Sequence, residues 1–292
     1  MIGSIPFRSL LHREGLVDVV GCHDVISAKL IEQAGFDCLH LGGSAVCAAN
    51  YGLPDIGLVT ISELIDHARR VTSAVNIPVS LDLDDGGGTP TRVFRAVQLS
   101  EEAGVGAIRI EDVDFSSGKH FIGRDKALAR QQDRLRDASE FAEFITAAKE
   151  ARRNPETVII ARTDAVGISS VDDAIRRANM YAEAGAEVII LCWLMLEDVE
   201  RVVGEISVPL LYLSHNPSKN ERDRLEQNGV KFLVRPSITY ATAFRSIRDA
   251  LAELRSSGEL AGFERPPYAE TAGAVDTEKW TDIARRLGMI QP

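Results

Sequence analysis

The sequence predicts a (β/α)8 barrel, and three observations carry the prediction. A unit of helix, glycine and apolar strand recurs along the 292 residues: IEQAGFDCLHL at 31–41, SEEAGVGAIRI at 100–110, YAEAGAEVIIL at 181–191 and LEQNGVKFLV at 225–234. The strands in these units are continuously apolar rather than alternating, as parallel strands covered on both faces require. The turn after the first strand, VDVVG at 17–21, reads CHDVISAKL. It lacks the glycine-rich phosphate turn that marks the alternative, a doubly wound dinucleotide fold.

Each element follows from local chemistry. Gly35, Gly104, Gly185 and Gly229 each close a helical stretch, where glycine takes positive φ without a Cβ penalty. The other strands begin differently. IPVSLDLD (77–84) and VPLLYLS (208–214) start around Pro78 and Pro209, and TVIIART (157–163) follows the break at Asn154–Pro155. Amphipathic helical segments fall at 61–74, 91–103, 138–152, 171–184 and 239–255. Regular alternation over about 250 residues predicts a TIM-type barrel spanning 1–261. Residues 112–137 form a long polar insertion after strand 4, the place for a lid. Residues 262–292 form an extension ending in a helical segment, TEKWTDIARRLG, which needs another surface to pack on.

Composition excludes several classes. The net charge of −10 leaves no basic stripe for nucleic acid. No apolar run approaches the length of a membrane span, so no membrane partner is expected. Cys22, Cys38, Cys47 and Cys192 form no C-x-x-C pair, and three of them sit in apolar runs as small core residues. The N-terminus has no signal pattern, and a reducing cytoplasm is the expected compartment.

In such barrels the catalytic groups gather at the C-terminal ends of the strands. Strand 3 ends LDLDDGGG. Asp82 and Asp84, two apart, are expected on one strand face. Their crowding with Asp85 reads either as a site for a hard divalent cation or as a turn of capping aspartates. Glu111 and Asp112 end strand 4, which is a second acidic strand end or simply a loop start. Arg162 leaves an apolar run on strand 5, either to pair with those acids or to clamp a substrate carboxylate. The Gly42-Gly43-Ser44 backbone can offer N–H donors to an anion, or can be an ordinary loop. Acids for a cation, an arginine and amides for anions suit a metal-chelated oxyacid whose reaction develops negative charge on oxygen.

These motifs, in this order, resemble the isocitrate lyase/phosphoenolpyruvate mutase superfamily over nearly the whole chain. CHDVISAKLIEQAGF is similar to its opening helix, GGSAVCAANYGLPD to its substrate turn, and LDLDDGGGTP to its metal segment. IEDVDF is similar to its strand-4 acid, IIARTDA to its arginine strand, and ERPPYAETAGAVDTEKWTDIARRLG to its exchanged C-terminal helix. The resemblance implies Mg2+, with Mn2+ as a substitute, held by Asp84 with Asp82 and Glu111 partly through water. It implies Asp55 beside the metal's water network, Gly43 and Ser44 amides on a substrate carboxylate, and Arg162 on the substrate. It implies a homotetramer, a dimer of helix-swapped dimers.

The departures narrow the reading. The family's carbon–carbon lyases carry a lid cysteine as acid/base, whereas this lid reads SSGKHFIG, with Lys119 and His120 near the vacated position. They also place a glutamate at the end of strand 6, where this chain has Cys192. The pattern is nearest the oxaloacetate decarboxylase subgroup, but that subgroup's tyrosine and histidine after strands 7 and 8 are replaced by Ser214 and Ser237, with His215 and Arg235 adjacent. The expected activity is a Mg-dependent carboxy-lyase or oxo-acid lyase. Its substrate is expected to be a small 2-oxo or 2-hydroxy di- or tricarboxylic acid, reacting through a pyruvate-like enolate. The competing readings are C–P chemistry of the phosphonopyruvate hydrolase or phosphoenolpyruvate mutase type, and a non-catalytic relative that binds a small acid.

Overall fold

The eight strands marked out by the sequence form one parallel sheet that curls back on itself. They are β1 (Val17–Cys22), β2 (Leu39–Leu41), β3 (Val79–Asp82), β4 (Ala107–Glu111), β5 (Val158–Thr163), β6 (Val188–Leu191), β7 (Leu211–Leu213) and β8 (Phe232–Arg235). The computed structural model describes residues 6–115, 135–262, 264 and 266–290. Hydrogen-bonded neighbours run β6-β5-β4-β3-β2-β1-β8-β7. The remaining seam, between β6 and β7, is joined by a single parallel bridge, Ile189 to Leu210.

A helix follows each strand before the next begins. These are α1 (Val25–Gln33), α2 (Ile61–Thr72), α3 (Pro90–Glu102), α4 (Ala138–Ala151), α5 (Val171–Ala184), α6 (Val199–Glu205), α7 (Lys219–Gln227) and α8 (Ile238–Ser257). Their starts follow from capping chemistry. Asp24, Thr60 and Ser218 build reciprocal capping boxes, and Thr89 and Ser170 accept from the first turns of α3 and α5. The four repeat glycines take φ of 83°, 81°, 127° and 80°, as expected where a helix hands over to a strand.

Side chains alternate across each strand and sort into two cores. Val20, Leu39, Leu41, Leu81, Ile108, Ile159 and Ile189 pack outward against the helices. Val17, Val19, Cys38, Ala107, Val158, Ile160, Val188, Ile190, Phe232 and Val234 fill the barrel interior. A 3-10 turn, Phe7–His12, plugs the lower end, with the Phe7 ring stacked on Phe232 at 5.5 Å. Cys22, Cys38 and Cys47 are buried core residues, as expected. The interior is apolar at the bottom and turns polar one layer up.

α8 is the exception among the barrel helices, because it has no buried residue. Phe244, Ile247 and Leu251 on it are each more than half exposed. The extension folds as α9 (Tyr268–Ala274) and α10 (Thr277–Arg286), and Asp276 between them pairs with Lys29 of α1. No helix among the described residues is long and apolar enough to cross a membrane.

Candidate active site

Strand parity sets the site. Because Val158 and Ile160 face inward, Arg162 must also face inward at the top of β5. The same count carries Ala107, Arg109 and Glu111 up the inner face of β4. Ser80 and Asp82 rise on β3, and Cys38 and His40 on β2.

A charged lattice results. Asp82 accepts two N–H bonds from the Arg109 guanidinium, that from Nε at 3.1 Å, with both side chains about 95% buried. Burial draws Arg109 down to about 10, aided by neighbouring Arg162, so it stays cationic at neutral pH. One layer up, Arg162 pairs with Glu111 at 2.6 Å and forks onto Asp164 at 2.7 and 2.9 Å. Burial opposes the Arg162 charge, but Asp164 and Glu111 outweigh it and hold the guanidinium well above its usual range. Asp112 points the other way, accepting from Thr163 at 2.7 Å, Tyr181 at 2.8 Å and Arg177 at 3.2 Å. Burial pushes its carboxyl up to about 6, while the bonds from Thr163 and Tyr181 pull it down.

The strand-face expectation for Asp82 and Asp84 is corrected here. β3 ends at Asp82, and Asp84 lies beyond it with φ of 51°. Aspartate is one of the few non-glycine residues that visits this left-handed region readily. The turn is held because the Asp84 carbonyl accepts the Glu111 N–H at 2.8 Å and the Asp84 N–H reaches Asp82 at 3.3 Å. A turn, rather than a period of two, brings Asp84 to the barrel mouth.

Gly43 shows where the acids converge. A Cβ added there would lie 2.9 and 3.3 Å from the two Asp55 carboxylate oxygens and 3.3 Å from Asp84 Oδ1. Asp55 and Asp84 therefore face one another across a point that only glycine leaves open. Asp55 Oδ1 is buried and has no hydrogen-bond partner among the described residues. The Gly43 N–H donates to Asp82 at 3.3 Å, and Ser44 is exposed in the short helical turn Gly43–Val46.

The donors are all carboxylate oxygens, which suits a hard cation. Among the described residues no three of His, Cys, Asp and Glu form a direct ligand cluster. Mg2+ does not demand one, since it keeps several waters and takes one or two carboxylates. The buried, unsatisfied Asp55 oxygen and the Asp84 carboxylate facing it fit that requirement.

The remaining expected residues divide. Cys192 caps β6, and burial pushes its thiol up to about 12, so it is neutral there. Ser214 and Ser237 are half-buried at the ends of β7 and β8, and His215 is exposed. Arg235 is not brought into the group. Val234 faces inward, so Arg235 faces outward, where it pairs with Asp18. Lys119 and His120 lie outside the described residues.

Sequence reasoning passed over Arg109, which lies below Glu111 on the same strand face, and Asp164. It also passed over His40. That ring is buried among the charges, and burial first, then Arg109 and Arg162, hold it well below 6.5, in the neutral form. Its Nδ1 meets Ser80 Oγ at 3.3 Å.

Carboxylates and a locked arginine thus gather at the C-terminal strand ends of a parallel barrel, where barrel enzymes place their active sites. The family model for phosphoenolpyruvate phosphomutase matches residues 7–255, and the chain belongs to that family. An oxaloacetate decarboxylase of Ectopseudomonas mendocina (strain ymp) is 34% identical over 255 residues, covering 86% of this chain and 84% of that protein. A 2,3-dimethylmalate lyase of Eubacterium barkeri is 30% identical over 261 residues, covering 87% of each. The solved phosphoenolpyruvate phosphomutase from Streptomyces platensis subsp. rosaceus superposes with a TM-score of 0.86 at 28% identity, covering 97% of this chain and 99% of that one.

Proposed function

We propose that the protein is a Mg-dependent carbon–carbon lyase or decarboxylase acting on a small 2-oxo or 2-hydroxy di- or tricarboxylic acid by enolate chemistry. The observation that carries this reading is the convergence of Asp55 and Asp84 at Gly43 beside an arginine locked by two carboxylates. The lyase and decarboxylase relatives support it.

Asp84 and Asp55 would hold the cation, with Asp82 and Glu111 reached through water. Bound there, a divalent cation supplies positive charge to the oxygen on which negative charge develops. Arg162 presents the N–H donors left over from Glu111 and Asp164 to a substrate carboxylate, in an orientation fixed before binding. Asp82, neutralised by Arg109, keeps the floor of the site from repelling an anionic substrate. Cys192, as a neutral thiol, packs against substrate rather than attacking it. The exposed apolar face of α8 supports a helix-exchanged homotetramer, and the family's metabolic enzymes support a cytoplasmic setting.

Assays of small oxo and hydroxy acids should show Mg-dependent release of pyruvate or a close analogue, and Asp84→Ala should reduce turnover by at least about 100-fold. Full activity in excess chelator would sink the proposal. The likeness to phosphoenolpyruvate phosphomutase keeps C–P chemistry as the second reading. A phosphorus NMR spectrum of phosphonopyruvate left unchanged by the enzyme removes it.

A further inference from the structure

Asp164 is gripped from three sides. Its carboxylate takes the Arg162 fork, its backbone N–H donates to Asp112 at 3.2 Å, and its Oδ2 also accepts the indole N–H of Trp193 at 3.3 Å. Trp193 follows Cys192 directly, at the end of β6, with φ of 70°. A bulky residue has no conformational reason to sit in that left-handed region, so its surroundings must hold it there.

Gly167, in the short helical turn after Asp164, is part of what holds it. A Cβ on Gly167 would lie 2.6 Å from Cδ1 of the indole and 3.0 and 3.1 Å from Cγ and Nε1. The indole therefore rests on the bare Cα of a glycine that has an ordinary negative φ and accepts alanine as far as its own backbone is concerned. The glycine is needed for the indole, not for the turn.

We propose that Trp193 is a positioning residue for Arg162, acting through Asp164, and that Gly167 is the seat that lets the indole reach Asp164. Asp164 holds Nε and one terminal nitrogen of Arg162 through two oxygens. A further donor on Oδ2 restrains that carboxylate's rotation about its χ2, a soft torsion in aspartate. With the carboxylate fixed, the remaining Arg162 donors point one way. This deepens the proposed function and rests on it only where an anion is used as a probe.

The test reads Arg162 itself. In 15N-arginine-labelled protein, with the signal assigned by Arg162→Lys, hydrogen exchange at Arg162 Nε should quicken about tenfold in Gly167→Ala and less in Trp193→Phe, which keeps an aromatic side chain and loses the N–H. Gly204→Ala, where an added Cβ meets nothing within 4 Å, is the control and should leave exchange unchanged. In a Trp280→Phe background Trp193 is the sole tryptophan, so its emission reports whether Gly167→Ala has moved the indole. A moved indole with unchanged Nε exchange overturns the positioning role, and an unmoved indole overturns the seat. Mg-dependent affinity for oxalate should fall about 5- to 20-fold in Gly167→Ala and stay unchanged in Gly204→Ala. If the wild type binds no oxalate, the proposed function has failed, while the exchange and emission results still decide the role of Trp193.

Discussion

The two halves of the barrel mouth are built from different material. From β2 to β5 the inner top layers hold ions: Asp82 on Arg109, and Arg162 between Glu111 and Asp164, with neutral His40 beneath. From β6 to β8 the residues just beyond the strands are neutral and small: Cys192 after β6, Ser214 after β7 and Ser237 two residues past β8. A buried charge that loses its partner is expensive, so each ion on the first half constrains the next. A serine at the half-buried end of a strand constrains little. In the proposed reaction the first half would therefore serve the step common to many acids, and the second would distinguish one acid from another.

The largest effect that separates the halves should come from Arg109→Met. It strands the Asp82 carboxylate in the barrel and should cost about 3–5 kcal/mol in urea denaturation. The double variant with Asp82→Asn should recover much of that. A loss under about 1 kcal/mol would show that the two halves are not differently constrained.

A smaller effect should appear with pH. His40 is neutral in the fold, with its pKa well below 6.5, while in the unfolded chain it protonates near that value. The unfolded state thus binds more protons below about pH 6.5, and stability falls there by up to about 1.4 kcal/mol per pH unit. His40→Gln should lift this part of the acid dependence and leave the neutral-pH plateau to other groups. Denaturation midpoints at pH 7.5 and 5.5 for the two proteins measure the difference.

The smallest stability effects belong to the neutral half. Ser214→Ala and Ser237→Ala should each change stability by less than about 0.5 kcal/mol, because Ser237 makes no side-chain cap on α8. They should nonetheless alter the kcat/KM ratio between two related acids more than twofold. A thermal shift series beside a two-substrate assay separates the outcomes.

Most of the barrel was legible because its signals are local. A glycine after a helix and a proline before a strand act within a few residues, and the helix and strand segments fell where they were expected. A period of two does not account for Asp84, which lies past the end of β3 in a left-handed turn. Arg109 was legible in principle: it is two residues before Glu111 and so shares its face. The same counting sets Arg235 outside the barrel, paired with Asp18. Asp55 and the indole on Gly167 were beyond such counting. Each depends on a loop meeting an element far away in the chain, and no local period records that.

The single bridge between Ile189 and Leu210 gives the ring a place where it opens most cheaply. That place falls in the neutral half, next to Cys192. Strand spacing can shift there by a fraction of a residue without breaking an ion pair or exposing a buried charge. A designer seeking a roomier pocket should cut at this joint, because the ionic side of the ring would carry on unaltered while the opposite wall was refitted.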